Sequence, residues 1–274
     1  MFDPKLKPGQ KLSNKELCEI FKCSPQGGMR KSKKTNTLVL ISNHVKSIYN
    51  DRWIGDVFHY TGMGMEGDQS LNFAQNKTLL SSKSNNIDVH LFEVFEEKIY
   101  TYIGRVILAD NPYTEIQLDK NGRQRKVWIF PLKLCENNIP ILPKEDLENV
   151  LRIKERKAKN ISNEELLNRA KSSPKQAGTR KVITKQYERN VWVSEYAKRR
   201  AKGICQLCGQ AAPFKTKDGE PYLEVHHIIW LSQGGEDSIE NTVALCPNCH
   251  RKMHILNLPG DRKKLLEIAK KLKG

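Results

Sequence analysis

The chain has 274 residues, a formal net charge of +16, and 38% hydrophobic against 28% charged residues. No apolar run approaches the roughly 20 residues of a membrane span, and the opening MFDPKLKPGQKLSNKE has no apolar signal core, so a cytoplasmic location with no membrane contact is expected. Seven cysteines, four of them in two CxxC pairs, favour metal binding in a reducing compartment over a disulfide framework.

Taken in order, Ser13-Asn14-Lys15-Glu16 is a capping box and predicts a short helix towards Lys22. SPQGGMRKSKK (24–34) reads as a flexible basic loop. From Thr37 to Leu132 the runs TLVLIS, DVFHYTG, IDVHLFEVF, KIYTYIGRVILAD, TEIQL and RKVWIFPL read as strands, punctuated by turns at 110–112 and 120–122. A helix-compatible insertion, Gln69 to Leu80, interrupts them. Strands without strand–helix alternation predict a mixed or antiparallel sheet curling into a barrel. From Lys144 the period changes to that of amphipathic helices, EDLENVLRIKERKAK and NEELLNRAK, the second capped by Ser162 with Glu165. Residues 172–180 read as a linker, Tyr187 to Lys202 as a basic helix, and DRKKLLEIAKKLK as a closing helix. The expected organisation is α+β: a β-rich domain at 1–143, a helical basic linker at 144–186 and a C-terminal domain at 187–274.

The charge is uneven. Residues 144–203 carry 17 Lys/Arg against 8 Asp/Glu, more than half of the whole excess. A polyanion such as nucleic acid is the partner this suits, and a solvated helical linker suits it equally well.

Cys205, Cys208, Cys246 and Cys249 supply four thiolates at zinc-site spacing, enough for a closed structural Zn²⁺ site with no open position. Cys18, Cys23 and Cys135 stand alone and read as packing residues. Around the second pair lie His226-His227, Asn241, and His250 and His254 four apart on one helix face. Neutral imidazoles leave a divalent ion its full charge, and a histidine titrating near neutrality can take a proton from water; phosphodiester hydrolysis needs both. Neighbouring residues of a strand face opposite ways. His226 and His227 can therefore serve one site only if the strand ends there, as the loop Ser232–Gly235 allows.

EVHHI, GG and ENTVALCPNCHRKMH resemble the HNH (ββα-metal) nucleases with a four-cysteine zinc knuckle, over about Val191 to His254. The resemblance implies His226, His250 and His254 as metal ligands, His227 as general base and Asn241 as the brace of its loop. Arg251 and Lys252 would contact flanking phosphates, and Glu224 would stand behind a ligand or form a surface salt bridge. Imidazole ligands suit Mn²⁺, Co²⁺ or Ni²⁺ at least as well as Mg²⁺.

Gly62-Met63-Gly64-Met65-Glu66-Gly67 spells GxGxxG, but the polar run before it and the absence of βαβ alternation exclude a dinucleotide site. FHYTGMGMEGDQ, QNKTLL, VHLFEVF and YIGRVIL instead resemble the SRA domain, a PUA-like curled β-barrel that flips modified cytosine out of the duplex. That resemblance covers about Leu38 to Leu132. It implies Tyr49 and Tyr60 as a sandwich for the base, Asp51 at its Watson–Crick edge and Thr61 against the ring; YIGRV stands where the family has YDG. Together the two halves resemble bacterial modification-dependent restriction endonucleases. The implied partner is double-stranded DNA carrying a modified base, 5-methyl or 5-hydroxymethyl cytosine. One HNH site cuts one strand, so a homodimer or two nicks would be needed for a double-strand break. An HNH enzyme reading unmodified sequence, and a non-catalytic reader, are the rival expectations.

Overall fold

The computed structural model describes residues 2–136, 139–173 and 177–270, and the chain divides into two compact units, Met1–Thr184 and Lys185–Gly274.

The first unit starts with β1 (Lys11–Ser13) and α1 (Asn14–Phe21), whose capping box forms as expected: Ser13 accepts from the Glu16 backbone and Glu16 from that of Ser13. β2 (Met29–Ser32), β3 (Thr37–Asn43), β4 (Arg52–Ile54) and β5 (Val57–Thr61) precede α2 (Ala74–Leu80). β6 (Asp88–Glu96), β7 (Ile99–Leu108), β8 (Tyr113–Leu118) and β9 (Gln124–Leu134) complete a nine-stranded sheet. Its main path is β2-β3-β6-β7-β9-β5-β4, with β1 on β7 and β8 on β9. Only β3 and β6 pair in parallel, so the sheet is mixed. Residues of β2, β3, β4, β5, β6, β7 and β9 share one buried cluster that includes Leu38, Phe58, Leu91, Ile103 and Phe130, so the sheet curls around its own core.

Three local expectations change. The stretch 24–34 is not all loop: β2 forms because pairing with β3 buries Met29, Arg30 and Ser32, and Arg30 donates to Gly27 and Asn14. The helix-compatible insertion shortens to α2. The segment expected as a connector groups with the first unit. β10 (Leu142–Pro143) leads into α3 (Lys144–Lys159), which buries Val150 against Val45, Phe95 and Leu142; α4 (Asn163–Lys171) follows. Beyond it Thr179 N–H donates to the Trp53 carbonyl, and β11 (Val182–Ile183) pairs with β10.

In the second unit, α5 (Val191–Ala201) starts later than its basic composition suggests, because the Asn190 side chain caps it at Trp192 N–H. β12 (Glu224–His227) and β13 (Thr242–Leu245) form an antiparallel pair. α6 (Pro247–Ile255) begins directly after Cys246 with proline at its first turn, where the missing N–H costs nothing. α7 (Pro259–Lys270) closes the unit. Cys205, Leu207, Leu223, Val243, Leu245, Met253 and Leu265 make its core. Among the described residues no helix is long and apolar enough to cross a membrane.

Candidate functional site

The four cysteines of the two CxxC pairs meet. Their sulfurs lie within 4.8 Å of one another, with Cys208 and Cys246 at 4.0 Å. A tetrahedral zinc with bonds of about 2.3 Å needs sulfurs roughly 3.8 Å apart, so the donor set fits the ion after small adjustments. Burial raises the Cys205 thiol, but backbone N–H groups of Cys208, Cys246 and Leu207 outweigh it and bring Cys205 down to about 7. Those donors favour the thiolate. Cys205 also sits in the core of the unit, so a metal there would tie β13 and α6 to the loop before β12.

The three histidines expected as ligands also meet. His226 on β12, His250 and His254 on α6 present ring nitrogens within 4.8 Å of one another, and His250 Nε2 is 3.1 Å from His254 Nε2. Burial, then the nearby His250, His254 and His227, lower His226 to about 3, which keeps its ring neutral. The buried His226 Nε2 has no hydrogen-bond partner among the described residues. A buried orphan nitrogen facing two other imidazoles is what a divalent cation would satisfy. Glu224 accepts from His250 Nδ1 and so orients its Nε2 towards the other two rings.

His227 points elsewhere. Its Nε2 is 2.9 Å from Asp237 Oδ1, while Asp237 Oδ2 accepts the Asn190 backbone N–H at 2.6 Å. A carboxylate held this way can only accept, so Nε2 carries the proton and Nδ1 is the basic nitrogen. The His227 hydrogen bond, followed by that of Asn190, lowers the Asp237 pKa. Asn241 Nδ2 donates to the carbonyls of Ile229 (2.9 Å) and Glu236 (2.7 Å), and its Oδ1 accepts Ile229 N–H (2.9 Å). It thereby clamps both ends of the loop after β12. The loop closes so tightly that a Cβ on Gly235 would lie 2.0 Å from the Ile229 carbonyl oxygen. β12 ends at His227, and the two adjacent histidines line one cleft of about 890 Å³ together with His250 and His254.

Of the two residues expected at flanking phosphates, Arg251 is exposed. Lys252 Nζ lies 2.6 Å from Asp261 at the start of α7, in a partly exposed ion pair. Sequence reasoning missed Asp237 and Arg189. The acidic pair Glu236-Asp237 after Gly234-Gly235 was a usable signal for the first; Arg189 had none, since it reaches the cleft from outside the motif.

In the first unit, Asp51 Oδ1 accepts Thr61 N–H at 2.8 Å, Gln117 Nε2 donates to Thr61 Oγ1 at 3.4 Å, and Tyr49 Oη donates to the Gly64 carbonyl at 2.9 Å. The Arg125 guanidinium lies 5.8 Å from the centre of the Tyr49 ring. Burial raises the Asp51 carboxyl, opposed by the Thr61 N–H. Tyr60 departs from the expected sandwich. It is 3% exposed, packs in the main core, and its hydroxyl donates to the carbonyls of Gly28 and Ile41. Strand alternation explains this: Phe58 and Tyr60 share the inner face of β5, leaving His59 and Thr61 on the other. Tyr49, Asp51 and Thr61 form a polar group; Tyr60 belongs to the core beside it.

Residues 205–255 match the HNH endonuclease family, and residues 8–152 match the family described as ScoMcrA-like, SRA domain. Over 100 residues the chain is 46% identical to the type IV methyl-directed restriction enzyme EcoKMcrA of Escherichia coli (strain K12), covering 35% of each chain. The chain thus spans about a third of that relative's length. It is also similar to the type IV phosphorothioation-dependent restriction endonuclease ScoMcrA (18% identity, TM-score 0.40, 97% of this chain and 55% of that one). A third similarity is to the SUVH5 SRA domain in complex with methylated CHH DNA (24% identity, TM-score 0.38, 51% of this chain and 95% of that one). With more than half of its residues matched by one family model, the chain belongs to the ScoMcrA-like SRA domain family and carries an HNH endonuclease domain behind the SRA domain.

Proposed function

We propose that the protein is a modification-dependent DNA endonuclease, in which the first unit selects DNA carrying a modified base and the second hydrolyses the phosphodiester backbone. The observation that carries the reading is the convergence of His226, His250 and His254 beside His227 in one cleft, next to a separate four-cysteine cluster. His227 Nδ1 accepts the proton of the attacking water, with Asp237 fixing the tautomer and stabilising the imidazolium that results. Asn241 keeps the loop, and with it His227, in place. A divalent ion held by His226, His250 and His254 would supply positive charge to the phosphate and the leaving oxygen. Cys205, Cys208, Cys246 and Cys249 would hold a structural zinc.

In the first unit, Asp51 accepts from an exocyclic amine of the flipped base, Tyr49 offers an aromatic face and Thr61 an edge contact; a modified cytosine fits that chemistry. A second reading, in which the duplex is read without flipping, is favoured by the burial of Tyr60, which removes one of the two expected stacking faces. Double-strand cleavage would need a homodimer or two independent nicks.

The test uses matched duplexes containing cytosine, 5-methylcytosine, 5-hydroxymethylcytosine or N6-methyladenine, incubated with divalent metal and either wild type or His227→Ala. Preferential cutting of one modified-cytosine duplex, lost in His227→Ala, is expected. Equal cutting of all four removes the recognition role, and undiminished cutting by His227→Ala removes the catalytic one.

A further inference from the structure

We propose that Arg189 is the substrate-phosphate-binding residue of the histidine cleft, set in place by the clamp between Asp237 and Asn190. The inference rests on the nuclease reading of that cleft. Lys185 to Arg189, the irregular segment ahead of α5, forms one wall of the cleft whose other walls include His226, His227, His250 and His254. The segment is anchored at its end from two directions. Asn190 N–H donates to Asp237 Oδ2 at 2.6 Å, and Asn190 Oδ1 accepts Trp192 N–H at 2.9 Å. The same Asp237 carboxylate holds His227, so one side chain fixes both the proposed base and the backbone carrying Arg189.

The charges around Arg189 leave its guanidinium available. Among the described residues it makes no ion pair, while Asp237 is engaged twice and Glu224 is taken by His250. Glu188, the acid of the wall itself, forms no ion pair among the described residues either. Lys185, the other cation of the wall, has its ammonium 5.0 Å from the Tyr187 ring centre. A planar guanidinium in the wall of a cleft lined by four imidazoles is matched in geometry and charge by a phosphate of the strand being cut. Arg251 on α6 is also exposed, but it lies outside the lining of the cleft.

The experiment measures single-turnover cleavage of the preferred duplex by the full chain as wild type, Arg189→Ala, Arg189→Gln, Arg189→Lys and His227→Ala, with zinc content and melting temperature followed for each. Arg189→Ala and Arg189→Gln are expected to cut roughly 100-fold more slowly at saturating DNA, the usual effect of removing one charge-stabilising donor. Arg189→Lys should recover part of that rate, and added guanidinium should raise the rate of Arg189→Ala but not that of His227→Ala. Zinc content and melting should stay at wild-type values. Cutting by Arg189→Ala within threefold of wild type overturns the proposal, and so does a slow Arg189→Ala that neither lysine nor guanidinium improves. A wild type that cuts no duplex with metal present, or a His227→Ala that cuts like wild type, overturns the nuclease reading and this inference with it.

Discussion

Arg180 and Glu93 form an ion pair at 2.6 Å inside the first unit, with side chains 9% and 1% exposed. The guanidinium lies over the rings of Trp53 (5.4 Å) and Phe95 (5.8 Å), and Glu93 also binds His44 at 2.8 Å. Removing one member of a buried pair leaves the other charged and unpaired, at a cost of about 3–5 kcal/mol. Arg180→Ala should therefore destabilise the first unit by that order, measured by denaturant unfolding. A change under about 1 kcal/mol would show that the segment carrying Arg180 is not part of the folded unit.

The same pair sets a pH dependence. Burial raises the Glu93 carboxyl, but Arg180 and His44 outweigh it and the net shift is downward. A carboxyl lowered on folding stabilises the native state above its unfolded pKa, and that stability is lost as pH falls through the folded value. Read as the difference in unfolding free energy between wild type and an Arg180→Met, Glu93→Gln double variant, so that histidines elsewhere cancel, this contribution should hold from pH 7 to about pH 4.5, near the ordinary value of a free carboxyl, and then decline.

Removing zinc should act on the second unit alone. Cys205 lies in its core, and the four sulfurs, from segments far apart in sequence, lie within 4.8 Å of one another, where a zinc would tie them. Cys208→Ser, or a strong chelator, is expected to abolish protection from hydrogen exchange in α6 and β13 while α1 and β6 keep theirs. Undisturbed exchange in α6 after complete zinc loss would assign the cysteines to packing.

Glu224 holds His250, so Glu224→Gln should weaken binding of Mn²⁺ to the histidine cluster by about 10–100-fold. Titration calorimetry on the zinc-loaded chain reads this directly. Unchanged Mn²⁺ affinity would reduce the contact to a surface salt bridge.

Tyr49 and Tyr60 should respond differently. Tyr60→Phe removes a buried donor to Gly28 and Ile41 and should cost about 1 kcal/mol of stability with little change in substrate choice. Tyr49→Ala should leave stability near wild type and cut the preference for modified over unmodified duplex by tenfold or more, since base–aromatic stacking contributes about 1–3 kcal/mol. Preference lost in Tyr60→Phe and kept in Tyr49→Ala would exchange the two roles.

The spacing of residues by itself located the pairs within each candidate ligand set. CxxC and HxxxH bring two side chains together within a turn of chain, so each pair is local. The meeting of Cys205 and Cys208 with Cys246 and Cys249, and of His226 with His250 and His254, depends on the fold. Alternating hydrophobicity likewise located most strands of the first unit, and the Ser13–Glu16 box located α1. Tertiary structure decided what depends on residues distant in sequence. Period-two alternation states that Tyr60 and Thr61 face opposite sides, but only the curl of the sheet decides that the Tyr60 side is the core. Lys252 gains its carboxylate partner only when α7 presents Asp261. Residues 144–184 look like a connector until Val150 and Arg180 are seen buried in the first unit. Asp237 and Arg189 reach His227 and its cleft only because one carboxylate bridges β12's last residue and the backbone of Asn190, 37 residues before it. No local pattern encodes that bridge, because it exists only once the chain has closed on itself.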